Sequence, residues 1–281
     1  MAASTKRLWN TPFRSECVLP RIRYARGLEF LVQSGLRKVV PELFQVVSGD
    51  VCAARWMDEG LASFLPDYAY RTSSADLAPD GQALGVAAEL NGSDWLCATG
   101  SLLPGRLQGG LRHFAILGED RIAEFISASE PSIGSVSVGA THPLPSKDDL
   151  GVGDSLIEEV LDEGILLIGI AVRDSGDRER YNITVQGVVA VSVCIAEMAF
   201  TYHLTPDEDW ESPLGHRMRR IKDSAWIAEI RDRCDAIDSW FGELMHFSLE
   251  SKDLRVEFLC TFDPQVTLKD NCTEPSGPPP G

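Results

Sequence analysis

Two stretches of the chain repeat one another. Residues 109–126 (GGLRHFAILGEDRIAEFI) align without gaps on residues 242–259 (GELMHFSLESKDLRVEFL), and seven of the 18 positions are identical. These are Gly109/Gly242, Leu111/Leu244, His113/His246, Phe114/Phe247, Asp120/Asp253, Glu124/Glu257 and Phe125/Phe258. Upstream, Trp95 and Trp226 each follow a serine by two residues. A repeat of this kind constrains the fold to two modules that end in the same supersecondary unit. Each block has the pattern of strand, turn, strand. A turn of two or four residues at Gly118-Glu119 or Ser251-Lys252 fixes residue parity. Phe114 then shares a face with Phe125, and Phe247 with Phe258. His113 with Glu124, and His246 with Glu257, fall on the opposite face. The phenylalanine face is expected in the core and the His/Glu face partly exposed.

Around this repeat the periodicities predict both helices and strands. Leu28, Leu31, Val32 and Leu36 recur at helical spacing after Pro20, and a second helix is expected to start at Pro41-Glu42. A short strand is expected near Gly85–Leu90. Pro131 to Gly153 is rich in Ser, Pro, Gly and Asp and is the candidate linker. A capped helix from Ser155 to about Asp162 comes next. Three strands over 165–203, with a turn at Asp174–Asp177 and a break at Gln186-Gly187, are expected to form an antiparallel meander. A helix over 223–240 and a strand pair to about Val266 complete the pattern. The Pro/Gly tail is too poor in apolar residues to build a core. The fold expected is α+β. Its two modules, 1–137 and 138–273, each have helices packed on an antiparallel sheet that ends in the hairpin, and 274–281 form a disordered tail.

Few motifs carry chemistry. His113/Glu124 and His246/Glu257 are the candidate catalytic residues, because a histidine beside a carboxylate is the usual geometry of a tuned imidazole. The alternative is an ordinary cross-strand polar pair. Two ligands per hairpin fall short of the three that a catalytic metal normally takes, so no metal and no cofactor is expected. Gly153-Asp154-Ser155-Leu156 resembles the nucleophile block of the GDSL esterases. The preceding Ser146–Leu150 is not the hydrophobic strand of that family, and none of the five histidines has an aspartate three positions before it. Ser155-Leu156-Ile157-Glu158 fits a helix capping box instead. The densest basic run, His216–Lys222, could grip a phosphate or neutralise nearby acids.

Charge and cysteine usage bound the function. The formal charge is −16, from 42 acidic and 26 basic residues. Residues 1–40 hold eight bases and two acids, so that segment is +6 and the remainder −22. A basic first segment docked on an acidic body follows. Such a field repels nucleic acid and attracts cationic partners. Seven cysteines, none at C-x-x-C spacing, fit a reducing compartment. Met1–Pro20 lacks the apolar stretch of a secretory signal, and the longest apolar runs fall well short of the ~18 residues of a membrane helix. The expectation is therefore a cytoplasmic, non-catalytic acidic interaction protein, immunity- or antitoxin-like, with a basic protein partner and neither nucleic acid nor membrane. The alternative is a hydrolase with a diffuse His/Glu site, which leaves enzymatic activity open but disfavoured.

Overall fold

The computed structural model describes residues 5–8, 17–25, 27–34, 42–58, 61, 87–91, 93–102, 110–118, 120–135, 154–174, 178–195, 206–207, 210–212 and 214–269. The expected α+β architecture is overturned, because the chain is mostly β. Residues up to 137 supply strands β1 (Thr5–Leu8), β2 (Cys17–Tyr24), β3 (Leu28–Ser34), β4 (Glu42–Ser48), β5 (Val51–Asp58), β6 (Ala87–Asn91), β7 (Arg112–Leu117), β8 (Arg121–Ser127) and β9 (Ser132–Ser135). Later residues supply β10 (Ser155–Asp162), β11 (Leu166–Val172), β12 (Glu179–Val185), β13 (Val188–Ile195), β14 (Met218–Arg220), β15 (Met245–Glu250), β16 (Leu254–Cys260) and β17 (Gln265–Lys269). Among the described residues there are three short α-helices: α1 (Asp94–Leu102), α2 (Ala225–Arg233) and α3 (Ile237–Phe241).

The strands form two antiparallel sheets. One has nine strands in the order β1-β6-β7-β8-β5-β13-β16-β15-β14, and the other has eight in the order β17-β12-β11-β10-β2-β3-β4-β9. The orders repeat about the sheet centres. Where β5 leads outward to β8, β7 and β6, β13 leads to β16, β15 and β14. In the second sheet β2, β3, β4 and β9 mirror β10, β11, β12 and β17. The centres are the pairs β5·β13, with Arg55 opposite Ser192, and β2·β10, with Arg23 opposite Leu161. One large core takes side chains from both sheets and from both sides of these central pairs, including Leu19, Phe30, Trp56, Phe125, Ile168 and Phe258.

Several expected helices are strands, and a bulge explains one of the errors. In β10 the buried residues are Ser155, Ile157, Val160 and Asp162, with a bulge between Ile157 and Glu159. The bulge adds a residue and shifts parity, so Ile157 and Val160 stand three apart, as on a helix. The predicted capped helix is this strand. Its counterpart β2 carries the same burial pattern and a bulge between Val18 and Arg21. The predicted helix after Pro20 is β2 running into β3, where Leu28, Phe30, Val32 and Ser34 are buried in strict alternation and Leu31 is not. The predicted helix at Pro41-Glu42 is β4.

The meander is also corrected. β11 and β12 pair as expected, but β13 leaves them for the other sheet, where it lies between β5 and β16. Gly187, at φ 62°, makes the sharp turn between β12 and β13, a backbone conformation that glycine adopts without cost. The linker region begins with a strand, since β9 pairs with β4. Its remainder, 136–153, and the tail lie outside the described residues. The expected strand near Gly85–Leu90 is β6, and the expected helix over 223–240 is α2 and α3, separated at Cys234–Ala236. Ion pairs join Arg21 and Arg23 to Glu29 within the first segment, and also Arg21 to Glu163 and Arg23 to Glu159, which are acids of the body. Among the described residues no helix is long and apolar enough to cross a membrane.

Candidate functional site

The two repeated blocks form hairpins of the same register. Phe114 pairs with Phe125 and Phe247 with Phe258. The rings stack at 5.3 and 5.5 Å, fully buried between the sheets. Parity then turns His113, Glu124, His246 and Glu257 to the outer face of the nine-stranded sheet, where helices cover them.

In the first hairpin, His113 Nδ1 lies 2.7 Å from Ser93 Oγ, and that hydroxyl accepts the Leu96 N–H at 3.0 Å at the start of α1. The Trp95 indole stands edge-on to the imidazole at 5.0 Å. His113 Nε2 is 3.7 Å from Glu124 Oε2, close enough for electrostatic attraction but not for a hydrogen bond. Glu124 is fully buried, and Arg55 Nε donates to it at 2.8 Å while its guanidinium lies 4.2 Å over the Trp95 ring. The second hairpin rebuilds the assembly. His246 Nδ1 lies 2.8 Å from Ser224 Oγ, which caps α2 by accepting the Ile227 N–H at 3.1 Å. Trp226 stands edge-on to the ring at 5.6 Å, and His246 Nε2 is 3.7 Å from Glu257 Oε2. Arg255 pairs with Glu257 at 2.7 Å.

The structure therefore brings each predicted histidine together with its predicted glutamate, but inside the protein. His113 and His246 are each only 2 % exposed and Glu124 is fully buried, so of the four residues the expected partial exposure holds at Glu257 alone, at 21 %. A serine caps a helix, a histidine receives the serine, and a tryptophan seals the ring. The serine and tryptophan of the S-x-W spacing thus fasten each helix to its hairpin. Sequence reasoning noted that spacing without assigning it a role. It also missed the cations, for a clear reason. Arg55 comes from β5, whereas Arg255 stands on the same strand as Glu257, at a position where the first copy has Ile122. A buried carboxylate needs a cation, but the repeat does not dictate where the cation comes from.

The second assembly borders a cleft. Ser224 and His246 edge a cleft of about 570 Å³ between α2 and the β14–β15 edge of the sheet. Its apolar floor comes from Ile221, Ile227, Leu244 and Met245. Charged groups surround it. Arg220 sits 3.8 Å from Asp207 and 3.9 Å from Glu243, and Arg231 forks onto Asp238 at 3.0–3.2 Å. Asp223 holds φ at 52°, a left-handed conformation that is rare outside glycine; the first copy has Gly92 at the matching sequence position.

The remaining sequence candidates lie elsewhere. Ser155 is a buried strand residue whose hydroxyl donates to the Glu250 carbonyl at 3.4 Å, so it caps no helix. Within the basic run, Arg217 is buried against Asp174, and Arg220 borders the cleft. Burial pushes the Cys194 and Cys260 thiols up to about 12, which leaves them unreactive at neutral pH. Among the described residues no group of three or more His, Cys, Asp or Glu side chains could hold a metal. No family model, curated protein or solved structure matches the chain.

Proposed function

We propose that this chain is a non-catalytic acidic interaction protein that binds a basic protein partner, in the way immunity proteins and antitoxins hold theirs. The observation that carries this reading is the distribution of charge once internal pairing is counted. Residues 138–281 hold 27 acidic and 13 basic residues, whereas 1–137 hold 15 and 13. Several bases are already engaged internally: Arg21 and Arg23 with glutamates, Arg217 with Asp174, Arg231 with Asp238 and Arg233 with Glu229. The surplus carboxylates belong to the second module, and a cationic surface complements them. The same reading keeps the boundaries 1–137 and 138–273 as two copies of one unit sharing a sandwich. It needs no metal or cofactor, no nucleic acid and no membrane, and it suits a cytoplasmic setting.

The test is capture of a basic protein from the native lysate, followed by kinetics with that purified protein. Association should be fast and should slow steeply as salt shortens the screening length to about 8–10 Å near physiological ionic strength. His113→Ala with His246→Ala should leave affinity nearly unchanged in whatever fraction remains folded. An empty capture at low salt overturns the reading. The alternative, a hydrolase, draws on one observation: Ser224 and His246 border the cleft. It requires turnover of an ester or amide that His246→Ala abolishes while Ser155→Ala does not.

A further inference from the structure

We propose that the cleft between α2 and the β14–β15 edge is a socket for an arginine side chain of the basic partner, with Asp223 as the carboxylate that receives it and Asp232, about 12 Å further along α2, adding negative charge to the rim. The inference rests on the interaction reading above and supplies the place and the chemistry of contact. The socket has the two features that an arginine requires. Its floor is aliphatic, from Ile221, Ile227, Leu244 and Met245, and accepts the methylene stem. Its rim offers the Asp223 carboxylate to the guanidinium, whose planar fork pairs with one carboxylate through two hydrogen bonds at once.

The ion pairs decide which charges of the cleft remain for a ligand. Arg220 stands between Asp207 and Glu243, and Arg231 is forked on Asp238. Asp223 and Asp232 are both exposed and both border the cleft, and neither carboxylate makes a hydrogen bond or an ion pair among the described residues. The cation left at the rim is Lys222. Two free carboxylates against one ammonium give the open part of the cleft a negative balance, in the module that already carries the acidic surplus. The left-handed backbone at Asp223 holds its position immediately before the Ser224 cap, so the carboxylate is presented from a fixed turn and not from a mobile arm. A volume of about 570 Å³ is within the range of small-ligand sites and exceeds what a single side chain needs, leaving room for the neighbouring backbone of the partner.

The experiment is a titration of the full chain, followed by NMR, with N-acetyl-arginine methylamide. N-acetyl-glutamate methylamide and N-acetyl-leucine methylamide serve as controls. The arginine probe should shift amide signals of residues 221–232 and 244–246, and the two controls should not. Asp223→Asn with Asp232→Asn should weaken the arginine probe at least tenfold while thermal unfolding stays within a few degrees, since asparagine tolerates the left-handed conformation. Lys222→Ala should tighten it severalfold. Shifts produced equally by the glutamate probe, no shifts with the arginine probe, or unchanged affinity in the double variant would each overturn the socket. The interaction reading is judged separately. If a captured basic protein binds the double variant as tightly as the parent, the socket fails and the reading stands; if nothing basic binds the parent chain, the reading fails as well.

Discussion

At the scale of single residues, each Ser–His–Glu assembly ties a helix to its hairpin through the serine that meets both the helix start and the imidazole. Both rings are 2 % exposed. The brace has a measurable cost of removal. Ser224→Ala loses the cap of α2 and the partner of His246 Nδ1 together, so chemical denaturation should show a loss of about 1–2 kcal/mol. Ser155→Ala removes only a long 3.4 Å bond within a strand and should cost less than about 1 kcal/mol, with no helix lost by circular dichroism. Phe258→Ala empties a fully buried site beside Phe247 and should cost about 3–5 kcal/mol. The cysteines give a chemical counterpart. In a Cys272→Ser background, one thiol should react promptly with a disulfide reagent in the folded protein, and it should be the exposed Cys97. Rapid labelling of Cys260 would contradict its burial.

At the scale of elements, the sequence was most legible where parity ran undisturbed and least where a bulge broke it. The hairpins β7–β8 and β15–β16 were readable in their faces because their register is regular from Phe114 to Phe125 and from Phe247 to Phe258. In β10 the bulge imitates helical spacing. No inspection of apolar positions separates a bulged strand from a short helix without knowing which neighbours the backbone pairs with. The turn at Gly187 has the same ambiguity, since a tight break between alternating segments suits a hairpin as well as a change of sheet. The β10 end carries an element-scale prediction. Asp162 accepts the Trp56 indole N–H at 2.8 Å and pairs with Arg121 at 2.8 Å, tying β10 to β5 and β8 across the sandwich. Asp162→Ala leaves both groups without this partner and should destabilise by about 3 kcal/mol in equilibrium denaturation.

At the scale of the whole molecule, the two halves share both sheets and the main core, so they should not be separable. Expressed alone, residues 1–137 and 138–273 should each lack cooperative unfolding, and mixing them should restore it. A half that melts cooperatively by itself would show that the central pairs β5·β13 and β2·β10 are dispensable. Alkaline pH should act globally as well. Burial raises Cys194 and Cys260 to about 12 and lifts Tyr24 above the usual tyrosine range. The unfolded chain releases these thiol protons from about pH 9 upward, whereas the folded chain keeps them. The stabilisation is thus fully present below pH 9 and is lost as pH rises toward 12. Urea midpoints measured under reducing conditions should fall across that window and stay level, as far as these groups are concerned, between pH 7 and 8.

The sequence by itself determined the repeat, the partition of its phenylalanines from its His/Glu pairs, the acidic surplus of the second module and the helical stretch after Ser224. All of these are properties of short segments or of sums, and they survive any arrangement of the chain. The tertiary structure alone decided that the alternating segments belong to two sheets, that the His/Glu face is roofed by helices, and that Arg55 and Arg255 reach equivalent glutamates from inequivalent places. It alone also opened a cleft beside Ser224 and His246 in the second half. Those outcomes depend on which strands become neighbours. Pairing between residues such as Arg55 and Ser192, 137 positions apart, is set by the burial of the whole core and leaves no mark on either local sequence.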